Sequence, residues 1–253
     1  MLVESLEATG QWNSVHAAEY LISVGRSDLV VEAFRAQENV ETPQYRIGVW
    51  RVLAQAEPSQ LKRSEYVERI REVLLDEVAP DRLHALESLA KLRVQIESMA
   101  EQAIVEGFAK QASQGEFAFA NWRLIQQQKS LPRLTRLAQG LLSEDEIQRL
   151  RVAFVLSQCA PLPDPIQVKI TKCFQEEAAE SLAYPYVAIA VGHEEARLLA
   201  RSKNPTHVAL AIKFLAQHDA DFDYDSSPLS SEQSPLTLRQ AIAFAILAHT
   251  PSP

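Results

Sequence analysis

Three groups of side chains in this chain have types and spacings that could do chemistry. His16 and Glu19, in HAAE, and His84 and Glu87, in HALE, each stand three residues apart. On a helix that spacing puts imidazole and carboxylate on one face, and such pairs ligate iron or zinc. His193 and Glu194 add one adjacent pair. The second group is acidic: with Asp221 as position 1, carboxylates fall at Asp221, Asp223 and Asp225, and at Glu232 as position 12, a spacing that can wrap calcium. The third group, Trp12, Tyr45, Trp50, Arg51, Trp122 and Arg123, holds the residue types that dominate protein-binding hot spots. These six are the candidate partner-binding residues.

The elements that must position these groups recur along the chain. VHAAEYL from Val15, YRIGVWRVL from Tyr45, LHALESLAKL from Leu83, AFANWRL from Ala118, LRVAFVLSQ from Leu150 and LRQAIAFAIL from Leu238 share small and aromatic residues around one anchor. The anchors His16, Arg46, His84, Phe119 and Arg151 are separated by 30, 38, 35 and 32 residues, within the range of helical-pair repeats. Proline is tolerated in the first helical turn, so Pro43, Pro80, Pro132, Pro165, Pro185, Pro205 and Pro235 mark helix starts. With apolar periodicity such as Leu83, Leu86, Ala90 and Val94, they predict paired helices at 2–9 with 12–24, 28–38 with 42–56, 63–77 with 80–93, and 96–112 with 116–127. Further pairs are predicted at 130–142 with 144–158, 164–181 with 184–192, and 194–202 with 205–218, before a last helix at 236–249. Stacking buries the apolar face that each pair alone would leave wet, so the end repeats are expected to be the weak points.

Composition fits an all-helical globular chain: 47% hydrophobic, 23% charged and 7 glycines in 253 residues. The formal charge of −8, with no Lys/Arg-rich block, disfavours nucleic acid and anionic membrane as partners. No apolar window is long enough to span a bilayer, and MLVESLEATGQW carries acids where a signal peptide is positive; membrane insertion and export are not expected. Cys159 and Cys173, one just past the end of the predicted 144–158 helix and one on the next, suit reduced thiols and a cytoplasmic location.

At the second helices the chain resembles the HEAT-repeat family. That pattern has an Asp in the turn within a repeat and an Arg six residues later, matched by Asp145 and Arg151 in EDEIQRLRVAFVL; the Arg or a His recurs at His16, Arg46, His84 and Arg239. The resemblance implies an all-α fold, a right-handed α-solenoid of about six to seven HEAT-like helical pairs forming a single domain over 1–253, with an acidic Ser/Pro-containing loop at 219–235 before the last helix. It also implies a noncatalytic scaffold that presents a concave surface to a protein partner, one whose basic or amphipathic segment would suit the acidic balance.

Two enzymatic alternatives come with the same resemblance. HEAT-like hydroxylases bind two irons through four adjacent His-Glu dipeptides, of which this chain has one, His193–Glu194. HEAT-like bilin lyases use such solenoids too, and no residue here selects that activity. Packed helices lie about 8–10 Å apart, which separates first- and third-repeat side chains by roughly twice that, so a Glu19–Arg46–Glu87 charge ladder is the favoured reading of the His/Glu groups. Against the EF-hand pattern, Ser226 stands where glycine makes the sharp turn and Pro228 where an aliphatic residue sits, which favours a solvated acidic connection. No nucleophile elbow, phosphate loop or zinc knuckle occurs, and Cys159 in SQCAPLP has no catalytic context. No cofactor is expected, and binding is favoured over catalysis.

Overall fold

The fold is all-α. The computed structural model describes residues 1–219 and 221–249, so Ala220 of the acidic connection and residues 250–253 of the expected domain lie outside the described residues. Among the described residues there is no strand, and the helices are α1 (Leu2–Leu6), α2 (Trp12–Ser23), α3 (Ser27–Arg35), α4 (Tyr45–Ala56), α5 (Gln60–Leu75), α6 (Arg82–Lys91), α7 (Met99–Lys110) and α8 (Phe117–Gln127). They continue as α9 (Leu131–Gln139), α10 (Glu146–Gln158), α11 (Asp164–Glu176), α12 (Tyr184–Val191), α13 (His193–Leu199), α14 (Pro205–His218) and α15 (Leu236–His249), with 3₁₀ turns at Gly140–Leu142 and Ser227–Ser230.

Local chemistry explains the boundaries. Prolines occupy the first turn of α9, α11, α12 and α14, where no amide donor is needed. Side-chain acceptors cap three further amides: Ser98 takes the Glu101 N–H at 3.1 Å, Asp145 that of Ile147 at 2.9 Å, and Asn204 that of Thr206 at 3.0 Å. α2 ends where Gly25, at φ 78°, lets the Arg26 N–H reach back to the Leu21 carbonyl at 2.8 Å, a left-handed closure that glycine adopts without Cβ strain.

The chain gathers into two compact units, one formed by residues 1–71 with 196–253 and the other by residues 72–195. In the second unit α7 packs on α8, α9 on α10 and α11 on α12, and the second helix of each pair packs on the next, α6 on α8, α8 on α10 and α10 on α12. Val105, Phe117, Leu137, Val152, Val155, Ile166, Ile170 and Val187 are buried between these layers. The first unit pairs α1 with α2 and α3 with α4, and α2 also packs against α4. Its C-terminal part joins α14 to α15, and α15 in turn covers α2 and α1. Tyr20 and Phe244 stack with ring centres 4.9 Å apart, and Gln240 donates to the Asn13 carbonyl at 3.3 Å. Helices from both ends of the described chain therefore cover one another within this unit.

Candidate functional site

The second helices of the 72–195 unit carry one line of rings. Trp122 on α8, Phe154 on α10 and Tyr186 on α12 recur every 32 residues, so one repeat places each against its successor. Trp122 meets Phe154 at 5.7 Å and 87°, and Phe154 meets Tyr186 at 5.6 Å and 89°, the edge-to-face geometry favoured by ring quadrupoles. Phe119 joins from the side at 6.3 Å. Trp122 is buried, whereas Phe154 and Tyr186 are half-buried.

A charged pair from α6 borders the rings. Lys91 Nζ lies 2.7 Å from Glu87 Oε1 and 5.4 Å from the centre of the Phe154 ring. Burial, with a smaller contribution from the Glu87 carboxylate, pushes the Tyr186 phenol from 10.0 up to about 12. Burial likewise lifts the Cys159 thiol from 9.0 to about 12, against the opposing pull of Lys129 and Arg93. Both groups are held neutral in the fold and ionise more readily in the unfolded chain. Their stabilisation is complete below about pH 9 and is lost as pH rises through about 12. Thermal midpoints measured across that window are expected to fall, and the Cys159→Ala, Tyr186→Phe double variant is expected to flatten the fall; an unchanged slope would refute this assignment.

The structure places the sequence candidates at different levels of burial. Tyr45, Arg51, Trp122 and Arg123 are buried, because each faces a neighbouring helix within its own unit. Arg51 donates to Glu19 Oε1 at 2.7 Å and Arg123 is ion-paired with the buried Glu101, so neither guanidinium is presented outward. Tyr45 shares hydrogen bonds with Ser14, at 3.2 Å, and Gln37, at 2.8 Å. Trp12 and Trp50 are half-buried. Trp12 lies against Gly48, where a Cβ would come within 3.2 Å of its ring. Trp50 donates to the Glu38 carbonyl at 2.8 Å beneath the Arg46 and Arg69 guanidiniums, 5.5 and 5.9 Å from its ring.

Among the described residues no group of three or more His, Cys, Asp or Glu side chains is placed to hold a metal ion. His16 is 3.5 Å from Glu19, the carboxylate held by Arg51, while the Glu87 carboxylate meets Lys91. His193 and Glu194 are exposed at the start of α13. In the acidic connection Asp221, Asp223, Asp225 and Glu232 all point to solvent, while the alternating Phe222 and Tyr224 are half-buried and stack at 6.0 Å. Asp225 folds back on Ser227, accepting from its N–H and its hydroxyl, each at 2.9 Å, which holds the carboxyl below its ordinary range. Asp145 and Arg151 also part company: Asp145 caps α10 and Arg151 passes over Gly115.

Phe154 and Tyr186 are members of the ring line that reading by motif missed. Their signal was the recurrence of a ring 32 residues on from Trp122, hidden by the change of residue type at each step. No helix among the described residues is long and apolar enough to cross a membrane. Comparison of the chain with protein-family models, with curated proteins and with solved structures gives no match.

Proposed function

We propose that this protein is a noncatalytic scaffold, a HEAT-like α-solenoid whose second helices hold a segment of a partner protein along the Trp122, Phe154 and Tyr186 line. The observation that carries the reading is that line of rings, half-buried at two of its three steps and built on helices that pack one on the next. Half-buried aromatics on a rigid helical platform supply contact area at low entropic cost. The 72–195 unit holds 18 acidic against 12 basic residues, which favours a basic or amphipathic segment by electrostatic steering. Two cysteines without a disulfide among the described residues suit a reducing, cytoplasmic setting.

Site-specific photo-crosslinking in the cells that make the protein tests this. A benzophenone side chain in place of Phe154 is expected to give an adduct with one partner protein. The same group in place of Val168, exposed on α11, is expected to give none. Equal labelling from both positions, or no intermolecular adduct from position 154, would refute the proposal.

A further inference from the structure

Lys91 already lies against the ring line. Its ammonium sits between a carboxylate, Glu87, and a ring, Phe154, the two groups that attract a desolvating cation from opposite chemical directions. Its neighbours Trp122 and Tyr186 meet Phe154 nearly at right angles, and Lys91 lies over that ring. The hold on Lys91 is weak. Glu87 and Lys91 are four residues apart on one helix with side chains 22% and 23% exposed, and such pairs contribute only a few tenths of a kcal/mol. A guanidinium arriving from outside offers a planar fork to the carboxylate and a flat face to the ring, neither of which an ammonium supplies.

Building on the scaffold reading above, we propose that Glu87, Phe154 and Tyr186 receive an arginine side chain of the partner segment, and that Lys91 fills this place until the partner displaces it. Lys91 is then an internal competitor that sets the affinity, and its removal strengthens binding. The acidic excess of the 72–195 unit favours the exchange, because the incoming cation adds to an attractive field.

The test is calorimetric titration of the whole protein with an acetylated, amidated oligo-arginine peptide and with its oligo-citrulline counterpart, which keeps the shape and removes the charge. The arginine peptide is expected to bind about tenfold more tightly. Lys91→Met should tighten arginine binding about threefold to tenfold, and Glu87→Gln should weaken it about tenfold. Lys172 serves as the control for net charge, being four residues from its partner Glu176 on α11 and well exposed; Lys172→Met should change affinity less than about twofold. Equal binding of both peptides, absence of binding, or a Lys91→Met effect no larger than that of Lys172→Met would overturn the inference. If it fails while the adduct at position 154 persists, the scaffold reading stands and only the cationic occupant is wrong. Loss of that adduct as well removes both.

Discussion

Glu101→Ala is expected to destabilise the 72–195 unit by about 3–5 kcal/mol. Glu101 is 0% and Arg123 1% exposed, so the charge left behind has no water to receive it. Arg123 also donates to the Val94 and Gln95 carbonyls at 3.2 and 3.4 Å, which fix the guanidinium in place without neutralising it. Glu101 is as tightly specified: its second oxygen accepts the Glu97 N–H at 3.2 Å while its own amide is capped by Ser98. Urea unfolding followed by circular dichroism measures the loss. A paired replacement, Glu101→Leu with Arg123→Met, removes both charges together and is expected to recover most of it, because buried ion pairs are costly to break but nearly neutral to replace with apolar groups. A cost below about 1 kcal/mol for Glu101→Ala would show that another group compensates the guanidinium.

Phe244→Ala is expected to cost about 3–5 kcal/mol as well, through the cavity it leaves, and the damage should be local. The Phe244 side chain is 1% exposed and stacks on Tyr20 of α2, whose ring also carries the Lys213 ammonium at 5.2 Å. This one ring thus links the first and last parts of the chain within their unit. Hydrogen exchange resolved by segment should speed up in α2, α14 and α15, because locally cooperative regions open together. Protection in α8 and α10 should be kept. Uniform acceleration through both units would contradict the division of the chain into two compact units.

Helices were readable from the sequence because their determinants are local. First-turn prolines and apolar periodicity located α9, α11, α12 and α14, and α15 lies where predicted, at Leu236–His249. Ends were less legible. α11 was expected to reach 181 and stops at Glu176, because Glu177 turns to ψ 134°. α6 closes with Arg93 at φ 54°, a position where sequence reading looks for glycine. The partner-binding candidates divide between buried and half-buried positions for a geometric reason. Adjacent helical residues point about 100° apart, so residue type alone cannot separate half-buried Trp50 from Arg51, which is buried against Glu19. The Asn13 and Gln240 contact spans 227 positions, and nothing in either local sequence announces it.

The composition of the first unit from both ends of the chain bears on how the protein is made. Translation delivers residues 1–71 first, with 72–195 following and residues from Ala196 onward last. Domains usually complete in order of synthesis, and here that order is inverted. The residues of the 72–195 unit have all been made once residue 195 clears the ribosome, while the face of α2 that meets α15 must wait for that helix to emerge. The unit begun first is finished last, so the face of α2 that meets α15 stays open through the synthesis of the whole 72–195 unit.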